Sequence, residues 1–135
     1  MKKMNYIIPV LVLLCIIVFA SGQAKRDKGD TGMGFEQISQ LEAKRIMANE
    51  KGYIIVDART EGEYVTGHIP GAICIPNESI GTAMPAELPD KEQLILVYCR
   101  SGRRSKIAAQ ALVDLGYTNV KEFGGIIDWK YDTVK

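Results

Sequence analysis

The sequence predicts an α/β domain, a three-layer sandwich built on a mainly parallel central sheet. Two observations carry that expectation. Short apolar runs alternate with segments of helical periodicity from about residue 35 to the end, which is the order of parallel β-α units. The strongest runs, residues 53–56 and 94–98, are apolar throughout, as in strands covered on both faces. A chain of 135 residues, 47% hydrophobic, has the length of a single domain and ample material for its core.

The N-terminal part is of another kind. Residues 1–5 carry Lys2 and Lys3, and residues 6–20 are almost wholly apolar, followed by the small residues Ala20, Ser21, Gly22 and Ala24. We read residues 1–22 as a secretory signal peptide, with an uncleaved N-terminal anchor, hence a membrane tether, as the alternative. Lipoprotein processing at Cys15 is disfavoured by Leu14, a large residue where that signal family has a small one. Each reading exports the domain to a periplasmic or other extracytoplasmic location. Residues 23–34 are polar, charged and glycine-rich and read as a flexible linker. The globular domain spans residues 35–135.

Formal charge is +1, and removing Lys2 and Lys3 from the 17 basic residues leaves 15 against 16 acidic ones. A near-neutral domain gives no reason to expect nucleic acid as a partner. Nothing in the pattern specifies an oligomeric state.

Within the domain, Ser39 and Glu42 form a capping box, and Leu41, Ile46 and Met47 supply the apolar face of a helix ended by residues 49–52. Residues 53–56 are the first buried strand. Asp57 and Arg59 stand at its C-terminal end, the edge where ligands bind in open parallel sheets. A second capping box, Thr60 with Glu63, opens a short helix through Tyr64 and Val65. His68 is the only histidine, so neither a Cys-His-Asp triad nor a histidine-rich metal site is expected. It sits in a turn before the strand at residues 73–75, where Cys74 reads as a buried, inert thiol. Once the signal is removed, Cys74 and Cys99 are the remaining cysteines and a disulfide between them is an open alternative. Residues 76–93, with Pro76, Pro85 and Pro89, form a weakly patterned connection holding one short helix. Residues 120–123 make the last strand. Gly124 and Gly125 then turn the chain into a final helical segment through Ile127 and Trp129.

The reactive stretch is the unit at residues 94–115. Its strand runs into Cys99, Arg100, Ser101, Gly102, Arg103, Arg104 and Ser105, and then into a helix marked by Ile107, Ala108, Ala111, Leu112 and Leu115 and closed at Gly116. Unpaired amides at a helix start stabilise an anion, and Gly102 permits the left-handed turn that curls them into a nest. With three arginines beside it, Cys99 is expected to have a depressed pKa and to be a nucleophile.

These residues carry a family resemblance. The run Val97-Tyr98-Cys99-Arg100-Ser101-Gly102-Arg103-Arg104-Ser105 resembles the active-site loop of single-domain rhodaneses of the thiosulfate sulfurtransferase type, which hold sulfur as a cysteine persulfide. Val56-Asp57-Ala58-Arg59, Glu63-Tyr64, Gly67-His68-Ile69-Pro70-Gly71-Ala72 and Phe123-Gly124-Gly125-Ile126-Ile127-Asp128-Trp129 resemble further landmarks in the family's order. The resemblance implies the rhodanese strand arrangement, Cys99 as catalytic residue and residues 100–105 as the substrate-binding loop. Asp57 and Arg59, by the same likeness, brace the fold around the site. It implies no metal or organic cofactor.

Cysteine-dependent phosphatases and arsenate reductases use the same strand, loop and helix. Their loops place five residues between cysteine and phosphate-binding arginine, whereas Arg104 follows Cys99 after four. The smaller cradle suits a terminal sulfur better than a tetrahedral phosphate, and no leaving-group acid is identifiable. The expected partners are a small anionic sulfur donor and a thiol or cyanide acceptor, with Arg104 the first choice for donor contact. A persulfide carrier or docking module without turnover is the other reading, weakened by the presence of Cys99.

Overall fold

The computed structural model describes residues 34–135; the expectations for a signal, anchor and linker fall on residues outside these, Gly34 excepted. The described elements are β1 (Glu36–Gln37), α1 (Gln40–Asn49), β2 (Ile54–Asp57), α2 (Glu61–Tyr64), β3 (Ile73–Cys74), β4 (Ile95–Cys99), α3 (Arg103–Asp114) and β5 (Val120–Gly125). Short 3₁₀ turns at Asn77–Ser79 and Ile126–Asp128 complete them. The five strands form one sheet in the order β1-β5-β4-β2-β3, with every pair parallel. An α/β sandwich of this kind is what the alternation of elements predicts.

The apolar runs explain the layers. Along β4 the side chains alternate: Ile95, Val97 and Cys99 join the core under α3, while Leu96 and Tyr98 join the core under α1. Both faces are therefore covered, and all five β4 residues are buried. Helix α3 buries Ser105, Ala108, Ala109 and Leu112, a stripe at helical spacing. Full burial of one such leucine contributes about 1.5–3 kcal/mol. The helix ends in a Schellman arrangement: Gly116, at φ +97°, donates from its amide to Val113 O at 2.9 Å, and the Tyr117 amide to Leu112 O at 3.1 Å.

Helix α1 starts where expected, the Ser39 hydroxyl accepting from the Glu42 amide at 3.0 Å. Its apolar face is corrected: Ala43 and Ile46 are buried, and Leu41 is exposed. At about 100° per residue, Leu41 and Ile46 lie some 140° apart and do not share one face. Ile107 on α3 is exposed for the same reason, five residues from Leu112. The glycine pair expected to begin a turn instead extends β5, which runs through Gly125.

Candidate active site

Cys99 is the last residue of β4, and its period-two alternation aims the thiol at the start of α3. Gly102, at φ +103°, is the N-cap of that helix, and its amide donates to the Cys99 sulfur at 3.0 Å. Burial alone would push the thiol up. The hydroxyl and amide of Ser105 and the amides of Gly102 and Ser101 outweigh it and hold Cys99 below its ordinary value. The residue is only 1% exposed, so the sulfur is recessed beneath the loop.

The floor of the loop is β5. The β4 and β5 register slips between Val97 and Cys99, so that Cys99 lies opposite Gly125. A Cβ at Gly125 would collide with the Arg100 carbonyl and Ser101 Cα. That close approach is locked by the Ile127 amide, which donates to Arg100 O at 3.2 Å.

The three arginines diverge. Arg100 and Arg103 are exposed at the rim with Ser101, and neither makes an ion pair with another described residue. Arg104 reaches to α2 and pairs with Glu63 through two bonds of 2.7 and 2.8 Å. Glu63 simultaneously closes the α2 capping box with Thr60. Chiefly through Arg104, its carboxyl is drawn down to about 2.

Beneath β4 and β2 lies a second buried network. Asp57, fully buried, pairs with Arg59, whose Nη2 donates to Asp57 Oδ2 and to Gly67 O, each at 2.7 Å. Tyr98 donates from its hydroxyl to Asp57 Oδ2 at 2.8 Å and accepts from the Ile69 amide at 3.1 Å. Burial pushes the Tyr98 phenol far up, keeping it a donor. These bonds tie the segment around residues 67–69 to the sheet edge. His68 stacks on Tyr64 with ring centroids 3.7 Å apart, and its Nδ1 lies 3.0 Å from Tyr64 O.

The family model for the rhodanese-like domain matches residues 39–132. This chain belongs to the rhodanese-like family. It is 36% identical over 80 residues to thiosulfate sulfurtransferase PspE of Escherichia coli, an alignment spanning 59% of this chain and 77% of that protein. With thiosulfate sulfurtransferase GlpE of Coxiella burnetii it shares 34% identity over 99 residues, covering 73% and 90% of the two chains. Among solved structures it is similar to an E. coli rhodanese with anions, with TM-score 0.57, 35% identity, and 62% and 98% of the chains covered. The human single-domain sulfurtransferase TSTD1 superimposes with TM-score 0.61 at 27% identity over 71% and 97% of the chains. Relatives of this kind support sulfur transfer as the activity class.

In this rhodanese-like domain, Cys99, Ser101, Gly102 and Ser105 come together around the sulfur. Spacing makes Arg104 the first choice for donor contact, but Glu63 takes both of its terminal nitrogens. Asp57 and Arg59 bind each other below the site. Cys74 is half-buried at the end of β3 and free, as is Cys99. Strands β3 and β4 flank β2 on opposite sides, which sets the two cysteine Cα atoms about two strand spacings, roughly 10 Å, apart, too far for a disulfide. Among the described residues no cluster of three His, Cys, Asp or Glu side chains is placed to hold a metal ion.

One residue escapes sequence reasoning. Glu122 on β5 is 3% exposed and faces the α3 layer, where its Oε1 accepts from the Ser105 hydroxyl at 2.6 Å and the Gly124 amide at 2.8 Å. The available signal was an acidic residue inside a strand, between Val120 and Phe123.

Proposed function

We propose that this protein is a thiosulfate sulfurtransferase that works through a Cys99 persulfide. The observation that carries the reading is the Gly102 amide bonded to a recessed, acidified Cys99 sulfur. The Cys99 thiolate attacks the outer sulfur of thiosulfate, the donor S–S bond breaks, and sulfite leaves with the bonding pair. The persulfide's negative outer sulfur then lies among the amides of residues 100–105. Cyanide or a thiolate attacks that sulfur, forming thiocyanate or a new persulfide, and Cys99 departs as thiolate. No proton, metal or external electron is needed for the balance.

Arg100 and Arg103, exposed at the rim, attract and orient the anionic donor, while Arg104 is held on Glu63. The recessed sulfur favours a donor with a narrow terminal atom, which supports sulfur over phosphate. We also propose that the domain acts outside the cytoplasm, a reading that rests on the apolar run at residues 6–20.

The test is a steady-state assay of thiocyanate formation from thiosulfate and cyanide. Cys99→Ser should abolish turnover and keep the melting transition. A folded Cys99→Ser protein that still turns over would overturn the mechanism. Hydrolysis of an aryl phosphate or reduction of arsenate by the wild type, without thiocyanate formation, would favour the phosphatase-like reading.

A further inference from the structure

The Ser105 hydroxyl has one proton and several acceptors around it. Glu122 Oε1 lies at 2.6 Å, Gly102 O at 3.0 Å and Gly124 O at 3.5 Å; the Gly102 amide of the same turn donates to the Cys99 sulfur at 3.0 Å, and the hydroxyl helps to hold that thiol down. A carboxylate at 2.6 Å is the strongest of these acceptors, within the range of charge-assisted O–H···O bonds. The buried Glu122 is held rigidly enough to keep that claim, since the same oxygen is fixed by the Gly124 amide at 2.8 Å.

We propose that Glu122 is a positioning residue, which tunes the nucleophile by competing with Cys99 for the Ser105 proton. The more of that proton Glu122 holds, the less the Ser105 hydroxyl donates to the sulfur, and the more the thiolate depends on the loop amides. The other charged groups nearby are Lys106 of α3 and Asp128 of the last 3₁₀ turn, which line a 380 Å³ cleft with Glu122, and Arg104, whose charge interacts with Cys99. The β1 residue on that cleft, Gln37, is neutral.

The competition matters because the two half-reactions ask opposite things of one sulfur, a point that rests on the sulfurtransferase reading. Attack on the donor is faster from a more basic thiolate, and discharge of the persulfide is faster when the departing thiolate is less basic. Glu122 holds Cys99 towards the basic side of that compromise.

The experiment uses the full chain and does not depend on sulfur transfer. Alkylation of Cys99 by iodoacetamide is followed by peptide mass across pH for wild type, Glu122→Gln, Ser105→Ala and the double variant. Glu122→Gln should lower the Cys99 midpoint by about half to one pH unit, by removing a nearby negative charge and releasing the Ser105 proton. In the Ser105→Ala background the same substitution should produce less than half that shift. A midpoint that stays or rises in Glu122→Gln overturns the proposal, because loss of a purely structural support would raise it. An undiminished shift in the Ser105→Ala background overturns it equally, leaving charge alone as the cause. Should Glu122→Gln fail to melt cooperatively, Glu122→Asp keeps the charge but falls one methylene short of Ser105. Its midpoint is expected to drop, and an unchanged or raised midpoint contradicts the proposal. At a pH where Cys99 is fully ionised, Glu122→Gln should also take up sulfur from thiosulfate about two- to threefold more slowly, given a Brønsted slope of about 0.4–0.5. Absence of uptake in the wild type would refute the sulfurtransferase reading while leaving the alkylation result intact.

Discussion

Arg104 and Glu63 form a two-point ion pair, with bonds of 2.7 and 2.8 Å, that ties the first turn of α3 to α2. The arginine nearest in spacing to a substrate ligand is thereby turned into a strut, and the helix start that forms the anion nest is fixed to a neighbouring helix. Arg104→Ala should lower stability by about 0.5–1 kcal/mol, the scale of a partly exposed pair. Because the Glu63 carboxyl is depressed in the fold, to about 2 from an ordinary 4.5, its contribution is complete above that ordinary value. It is lost as pH falls through the folded value. Urea unfolding should therefore separate wild type from Arg104→Ala at about pH 7, and the gap should close near pH 2.

The two thiols differ in opposite directions. Burial pushes Cys74 up, whereas loop hydrogen bonds hold Cys99 down despite its deeper burial. Alkylation rates measured by peptide mass should reach half-maximum at a lower pH for Cys99 than for Cys74. The reverse order would show that the amides do not stabilise the thiolate.

The buried Asp57 and Arg59 pair supports the sheet edge without touching the sulfur. Asp57→Asn removes the carboxylate that pairs with the buried Arg59 guanidinium, and should cost about 3–5 kcal/mol in chemical denaturation. Tyr98→Phe removes one buried donor and leaves the Asp57 and Arg59 pair in place, for a smaller loss of about 1–3 kcal/mol.

Gly125 is required by the approach of Arg100 and Ser101. Gly125→Ala should displace the loop, lower stability by about 1–3 kcal/mol and reduce sulfur transfer at least tenfold. Gly62→Ala is the control: its added methyl makes only ordinary contact with Thr60 Oγ1 at 3.9 Å, and activity should be unchanged.

What was legible in the sequence is what is local in the chain. Cys99, Gly102 and the start of α3 are contiguous, so strand, turn and helix signals specify the nest directly. Both capping residues, Ser39 and Thr60, also work within three positions and appear where expected. The relations that were not legible span the chain: Glu63 and Arg104 are 41 residues apart, and Ser105 and Glu122 are 17 apart. Only the β2-β4-β5 pairing brings them together. Strand β1 has two residues, too few for any period to register. Leu41 and Ile107 show that an apolar residue near a helical stripe is not thereby on it.

The Cys99 persulfide is tested most directly by intact-mass spectrometry of the purified protein before and after thiosulfate, and again after cyanide. Thiosulfate should add one sulfur atom, roughly 32 Da, to Cys99, and cyanide should remove it with release of thiocyanate, as covalent catalysis requires. A protein whose Cys99 is a free thiol and which gains no mass would contradict it.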